Sequence, residues 1–380
     1  MTVYIIILSV SFFLIYIFMF CTVLCREKKK FRRFSDEAYP KVSVLKPVKN
    51  LEDGLEENFR TFFELEYPDF EILFGVDHRS DPVLPLIEGL ISEYPGVKAE
   101  IVETGNGGYV NPKIHKLAKL EERSSGELYW VADSNIRVDS FTLLKLAGEY
   151  IENGTRVVFS PIRGYGARSF GSIVENSFIN QQVSGSIIAA WKVLRQQLLV
   201  GKSILIEKKT LDIFGGFSYF KSYVGEDYML GRAYAKSGFP ILTNCTWVTS
   251  YSSNASTLRF LSRMSRWAKI RFTIRPVFYV FEILSYPIVI AASSLAVLGW
   301  RGLPLLAASL VLKLLAEYAI LFAVNREDFR KPYVSVGYPF FVICKEILLT
   351  VVYFTPFFSR TVKWKDSKMK ITRWSVMERK

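Results

Sequence analysis

The chain has 380 residues, half of them hydrophobic and 22% charged, with a formal net charge of +13. That length holds one large soluble domain plus a few membrane helices, and the separation of polar from apolar blocks excludes a chain buried in lipid throughout. Only two histidines, His78 and His115, and four cysteines scattered without metal-ligand spacing exclude a histidine-rich metal centre, a zinc site and a disulfide framework.

Residues 3–24 form an apolar run long enough to span a bilayer, with a basic cluster directly after it. The run lacks the leading positive charges and terminal small residues of a cleaved signal peptide, so it reads as a retained anchor. The chain from Arg26 onward is then expected in the cytoplasm. From 42 to about 160, short β-rich runs alternate with helical patterns, which predicts a βαβ-type, mostly parallel sheet. The strands are expected at 42–46, 71–77, 99–103, 128–133 and 156–160, with helices near 51–64, 83–94 and 112–121.

Two of these strands end in aspartate, Asp77 and Asp133. Ligands of open α/β sheets bind beyond the carboxyl ends of the strands, so both carboxylates fall where a crevice is expected. A single aspartate after a strand is as readily a turn former; two at neighbouring crevice positions point to function. Helical patterns come next at 173–182 and 189–197. Gly201-Lys202-Ser203 is not a phosphate-binding loop, because Gln196 stands where that motif requires glycine, but Lys202 stays a candidate phosphate contact.

The segment 225–237, opening Gly225-Glu226-Asp227, reads as a helix, 240–249 as strand-like, and 257 to about 274 as a second helix. On the latter, Leu261, Met264, Ala268 and Phe272 share one face and Arg259, Arg263 and Arg266 another. A basic helix with an apolar stripe beside lipid reads as interfacial, its arginines turned toward the soluble domain. Three apolar stretches complete the chain, 277–300, 303–324 and 334–358. The first two read as spans. The third carries Lys345-Glu346 near its middle and Pro356 near its end, expensive in lipid unless buried in a bundle, and is expected to be re-entrant or interfacial with the tail 359–380 cytoplasmic.

The excess charge lies in blocks beside these apolar segments: 26–33 carries six basic residues and one acid, 257–276 six and none, 359–380 eight and two. Anionic lipid headgroups fit such a pattern better than nucleic acid, which is not expected as a partner.

These residues permit one kind of chemistry in particular. Displacing a diphosphate from a sugar requires neutralising charge on the leaving group, a base for the attacking hydroxyl and exclusion of water. Asp133, in Asp133-Ser134-Asn135, is placed to hold a divalent cation through oxygen. Asp227 is the candidate base, although Glu226 and Asp227 equally suit the capping of the helix they open. The arginines of the 257–274 helix suit phosphate, and Trp267 offers a flat apolar face to an acceptor as well as an anchor at a membrane interface.

The ordered set Asp77, Asp133, Asp227 and Arg263-x-x-Arg266-Trp267 resembles the D, D, D, (Q/R)xxRW signature of the ceramide glucosyltransferases, membrane-bound glycosyltransferases of the GT-A class. Local wording agrees: Val44-Leu45-Lys46-Pro47, Phe62-Phe63-Glu64-Leu65-Glu66-Tyr67-Pro68, Asn111-Pro112-Lys113-Ile114 and Ser134-Asn135-Ile136-Arg137-Val138. The likeness covers most of 42–275. It implies an α/β fold with a Rossmann-like nucleotide-diphospho-sugar transferase domain between N-terminal and C-terminal transmembrane helices. It further implies inverting transfer of glucose from UDP-glucose to the primary hydroxyl of ceramide at the cytoplasmic face.

Carried over, Asp77 contacts the nucleotide, Asp133 the metal, Mg2+ or Mn2+, and the diphosphate, and Asp227 is the base. Arg263, Arg266 and Trp267 close over diphosphate and acceptor, and Lys46, Lys113, Asn135 and Lys202 complete the donor-binding set. Asn135 replaces the second aspartate of many GT-A enzymes, and Asn180-Gln181-Gln182 lacks the histidine of animal members. Other lipid acceptors such as hopanoids, or another UDP-sugar, therefore stay open. A processive polysaccharide synthase shares the RW helix but devotes more helices to a channel; a non-catalytic scaffold would not keep three aspartates with Arg266 and Trp267. The expected division is an anchor at 1–25, a cytoplasmic catalytic domain at 26–256, an interfacial helix at 257–276, membrane segments at 277–358 and a basic cytoplasmic tail at 359–380.

Overall fold

The computed structural model describes residues 31–185, 187, 199–243, 246–364 and 367–379, together with 3, 7, 10 and 14. Apart from those four positions the expected anchor lies outside the described residues, as does the helical pattern at 189–197. The chain forms two compact units, one from Glu27–Ile162 and Ala190–Tyr251, the other from Met1–Arg26, Arg163–Ala189 and Ser252–Lys380.

The first unit is built on a seven-stranded sheet. Its strands are β1 (Val42–Pro47), β2 (Phe70–Val76), β3 (Lys98–Glu103), β4 (Leu128–Ala132), β5 (Val157–Phe159), β6 (Ser203–Glu207) and β7 (Ile241–Thr243), in the order β3-β2-β1-β4-β6-β5-β7. β1 pairs in parallel with both β2 and β4, Val42 lying opposite Phe70 and Leu128. β2 and β4 are buried almost end to end, the near-continuous apolar run expected of strands covered on both faces. The Leu55–Phe63 helix closes one face, Phe62 packing on Trp130 and Phe59 on Phe74, each with ring centroids 5.1 Å apart.

The sheet departs from the expected parallel pattern at β6, which runs antiparallel between β4 and β5. Its Ser-Ile-Leu-Ile-Glu run comes directly after Gly201-Lys202, where attention falls on a phosphate loop. A helix at Thr142–Asn153, burying Leu143, Leu144, Leu146 and Ala147 and stopped by Gly154 at φ 57°, was also not expected. The strand-like 240–249 is two short strands, β7 and Val248–Tyr251; the latter pairs with Ile136–Arg137 just beyond β4.

In the second unit the Phe170–Phe178 helix opens with a Ser169/Ser172 capping box and runs into a π-helical turn at Ile179–Val183. It packs with the Thr257–Ile274 helix, where Phe260, Met264 and Ala268 join Val174 and Phe178 in one apolar cluster with Leu349 and Val352. The apolar stripe of that basic helix is therefore filled by protein side chains, with Leu261 and Phe272 at its edge.

Among the described residues two stretches are long and apolar enough to cross a bilayer, 287–324 and Tyr338–Phe358. The span expected at 277–300 is broken by a 3-10 turn at Glu282–Ser285 ahead of Pro287, and Pro287–Leu298 has only 12 residues. At 1.5 Å per residue that is about 18 Å, short of the ~30 Å of hydrocarbon, whereas the 22 residues of Leu303–Val324 reach it. The segment expected to be re-entrant or interfacial is one unbroken helix of 21 residues, Tyr338–Phe358, which a re-entrant turn would break, with Pro356 tolerated in its last turn. Ile347, Val351, Phe354 and Phe358 are exposed along it, while Lys345 and Glu346 are buried. Apolar residues outside and charges inside reverse the pattern of a water-soluble bundle and suit lipid.

The tail folds into an antiparallel meander of Thr361–Trp364, Ser367–Ile371 and Met377–Arg379, with Val362, Met369, Ile371 and Met377 buried. It is tied to the Thr257–Ile274 helix, where Lys269 Nζ donates to the Thr361 carbonyl at 2.8 Å.

Candidate active site

The parallel strands β1, β2 and β4 end at one edge of the sheet, and the residues just beyond them carry the charges. Asp77, directly after β2, pairs with Lys116 and with Lys49, whose Nζ lies 3.2 Å away. Lys116 also donates to the Val48 carbonyl at 2.8 Å. Burial opposes ionisation of Asp77, but the two lysines outweigh it and hold its carboxyl below the usual range.

Asp133 comes directly after β4. Lys113 Nζ sits 2.8 Å from its Oδ1 and Lys202 Nζ 3.4 Å from its Oδ2. Lys202 also donates to Asn135 Oδ1 at 2.7 Å. Lys113 continues to Glu226 Oε1 at 3.3 Å and donates to the Gly201 carbonyl at 3.1 Å. Gly201 in turn donates its N–H to Asp227 Oδ2 at 2.8 Å. A Cβ at Gly201 would stand 3.0 Å from the Cβ of Asp227, so glycine lets the two segments meet. Asp133 and Asp227, 94 positions apart in the sequence, thus converge on Lys113 and Gly201.

Local sequence places each group. Asn111 caps the Pro112–Arg123 helix, accepting from the N–H groups of Lys113 (2.9 Å) and Ile114 (3.2 Å), with Pro112 in the first turn. That cap sets Lys113 and Lys116 at i and i+3 on one face. Glu226 and Asp227 occupy the first turn of the Glu226–Lys236 helix, where the helix dipole favours negative charge. Asp227 Oδ1 accepts the Tyr228 N–H at 2.7 Å, so its carboxylate steadies the helix start as well as facing the cleft.

The environments separate the carboxylates. Burial opposes the charge of Asp133, but Lys113 and Lys202 prevail and its pKa is lowered. Burial raises both Glu226 and Asp227, against the pull of Lys113 and, at Asp227, of two backbone N–H groups. One carboxylate that stays ionised beside one poised to take a proton is the pattern of paired catalytic roles. A small cavity, with room for little more than a water molecule, adjoins them, with Lys113, Glu226 and Asp227 on its polar side and Val131, Ile204 and Phe220 among its apolar walls.

Lys46, fully buried, lies beneath this cleft. Its ammonium sits 3.4 Å from the Phe62 ring centre and donates to the Asp133 carbonyl at 3.3 Å, and burial drives its pKa well below the ordinary value. It supports the turn that carries Asp133 instead of lining the cleft.

For a divalent cation the donors present are the Asp133 carboxylate and the Asn135 amide oxygen. No cluster of three or more metal-ligating side chains occurs among the described residues. Oxygen donors few in number suit Mg2+ or Mn2+, which take most of their coordination from substrate phosphates and water. The fit is therefore to an ion that arrives with a phosphate ligand.

Arg263, Arg266 and Trp267 belong to the other unit. There Arg263 pairs with the buried carboxylate of Glu175, and Trp267 lies 6.2 Å from the Phe178 ring. Sequence reasoning singled out Asp77, and Lys113 for donor binding, but not Lys49 or Lys116, the partners of Asp77; the i, i+3 spacing of Lys113 and Lys116 was the available signal. It did not single out Glu175, although the helical pattern expected at 173–182 contains it.

The chain matches the family model described as glycosyl transferase family 21 over residues 3–375. It is 24% identical over 365 residues to ceramide glucosyltransferase 3 of Caenorhabditis elegans, covering 93% of this chain and 79% of that one. It is 25% identical over 287 residues to a ceramide glucosyltransferase of Komagataella phaffii, covering 60% and 56%. Among solved structures it resembles mannosyltransferase PcManGT from Pyrobaculum calidifontis, in complex with GDP-Man and Mn2+, with TM-score 0.51 and 15% identity over 94% of this chain and 99% of that one, a likeness of fold. With a model match over nearly its whole length and a GT-A sheet carrying converging carboxylates beyond the ends of its parallel strands, the chain belongs to glycosyl transferase family 21 and is a glycosyltransferase of the ceramide glucosyltransferase family.

Proposed function

We propose that this enzyme transfers glucose from UDP-glucose to the primary hydroxyl of ceramide with inversion, as a membrane-embedded protein whose catalytic unit faces the cytoplasm. The observation that carries the reading is the convergence of Asp133 and Asp227 on Lys113 and Gly201 beside a cavity.

In this reading Asp77, held by Lys49 and Lys116, accepts hydrogen bonds from the nucleotide, which binds beyond the strand ends. Lys113 and Lys202 place positive charge where the diphosphate leaves. Asp133 and Asn135 hold a divalent ion that neutralises phosphate charge when bound. Asp227, its carboxyl raised by burial, takes the proton of the attacking hydroxyl. Arg266 supplies a fork to the diphosphate, and Trp267 an apolar face to the acceptor. Anionic headgroups at the basic blocks beside the apolar segments keep the enzyme's membrane face neutralised.

Purified enzyme given labelled UDP-glucose and ceramide should yield one β-linked monoglucosylated lipid. A long polymer would turn the reading to a polysaccharide synthase. Product only with another UDP-sugar or another lipid would correct donor or acceptor, and no turnover with any lipid would end the enzymatic reading of this site.

A further inference from the structure

Within the second unit, the Phe170–Phe178 helix grips the Arg263-x-x-Arg266-Trp267 helix at two points one turn apart. Glu175 pairs with Arg263, and Phe178, three residues on, meets Trp267, four residues beyond Arg263. Around them Val174, Phe178, Phe260, Met264 and Ala268 form a continuous apolar contact. That contact alone binds the helices, so the charge inside it calls for a reason. Glu175 is 1% exposed, and among the described residues its Oε2 makes no hydrogen bond. A buried ion pair is weak as a source of stability, and an apolar pair of like volume would serve packing as well. What an ion pair adds is direction, since a carboxylate fixes the rotation of its partner where apolar side chains slide.

We propose that Glu175 is a positioning residue for glycosyl transfer: by binding Arg263 it fixes the rotation of the Thr257–Ile274 helix and so the aim of Arg266 and Trp267. The charge of Arg263 is then met by Glu175, and the phosphate contact falls to Arg266. This rests on the reading of Arg266 and Trp267 given above.

The test compares Glu175→Gln, Arg263→Gln and the double variant with wild type, reading kcat, the affinity for UDP and thermal unfolding. Each single variant should lose about 10²-fold in kcat, the cost of a misaimed group, and should bind UDP less tightly, because the misaimed Arg266 is a diphosphate contact. The double should lose no more than the worse single, because both remove one interaction. Normal turnover in Glu175→Gln, or a double whose loss is the product of the two singles, overturns the proposal. If Glu175→Gln shows no cooperative unfolding, Glu175→Asp, which keeps the charge and shortens the reach, replaces it under the same outcomes. Arg266→Lys separates the two ideas. Wild-type turnover in that variant sinks the reading of the helix itself, whereas loss there with normal Glu175→Gln sinks only the role of Glu175.

Discussion

Two clusters of charged side chains, one in each unit, use the same residue types to opposite ends. In the cleft, Lys113, Lys202, Asp133 and Glu226 keep between 14% and 26% of their side-chain surface exposed and border a cavity. In the other unit Lys313, Glu317, Lys345 and Glu346 are at most 3% exposed. There Lys345 Nζ reaches Glu317 at 2.6 Å, Ser177 at 2.8 Å and Gln181 at 2.9 Å, and Lys313 bridges Glu317 and Glu346. Two lysines against two glutamates make it neutral. Charges that keep access to solvent can trade their partners for a ligand; charges enclosed among helices fix which helix faces meet. Access to solvent suits the first cluster to chemistry, and enclosure suits the second to architecture.

The largest effect expected on the chemical side is at Asp227. Asp227→Asn should lose on the order of 10²-fold or more in kcat while still binding UDP, as expected when a general base is removed. A near-normal rate would move the base elsewhere, Glu226 being the neighbour. The raised pKa of Asp227 also fixes the sign of the pH dependence. The base must be deprotonated, so kcat/KM of the wild type should fall as pH drops through a value above that of an ordinary aspartate. A profile flat to the ordinary carboxylate range would remove Asp227 from the role.

On the architectural side, Lys345→Met leaves Glu317 buried against fewer cations, and such a break costs about 3–5 kcal/mol. The readout is unfolding in detergent. Lys345→Met with Glu317→Met leaves Lys313 paired one to one with Glu346 and should recover most of the loss. If the double is as unstable as the single, the cluster is more than a neutral lock. Back in the cleft, Lys113→Met removes the charge-assisted contact proposed to the diphosphate and should weaken UDP binding about 10-fold, measured by calorimetry. Unchanged affinity would mean that Lys113 serves only to hold Asp133 beside Glu226.

How far the sequence reveals these two clusters differs for a physical reason. Asp77 and Asp133 are legible because each ends an apolar run, and the end of a strand in a parallel sheet is a place defined by local sequence alone. Their partners Lys49 and Lys116 come from a loop and a helix, and which lysine reaches which carboxylate depends on how those elements pack. Strand β6 escaped because its antiparallel slot between β4 and β5 is set by pairings across long stretches of chain. Lys345 and Glu346 announce that they must be buried, since two charges in an apolar run are costly anywhere else. Lys313 and Glu317 carry the same message one helix earlier, at i and i+4, but the run around them is apolar enough to read as a plain span. Glu175 gives no such sign, because a glutamate in a short helix is ordinary until its burial is seen.

The smallest effect distinguishes a lock held by charge from one held by hydrogen bonds. Ser177 Oγ accepts from Lys345, lies 3.1 Å from the Tyr338 hydroxyl and donates to Glu317 Oε2 at 3.2 Å. Removing it in Ser177→Ala leaves Lys345 with Glu317 and Gln181, so the ammonium stays paired and only one neutral partner is lost. The expected cost is about 1 kcal/mol in unfolding with kcat unchanged. A loss matching that of Lys345→Met would mean that the hydroxyl, wedged between a cation and a carboxylate, sets the geometry on which both depend. In that case the helix bearing Ser177 also bears Glu175, and loosening one face of it should misaim Arg263 on the other, so kcat would fall together with stability.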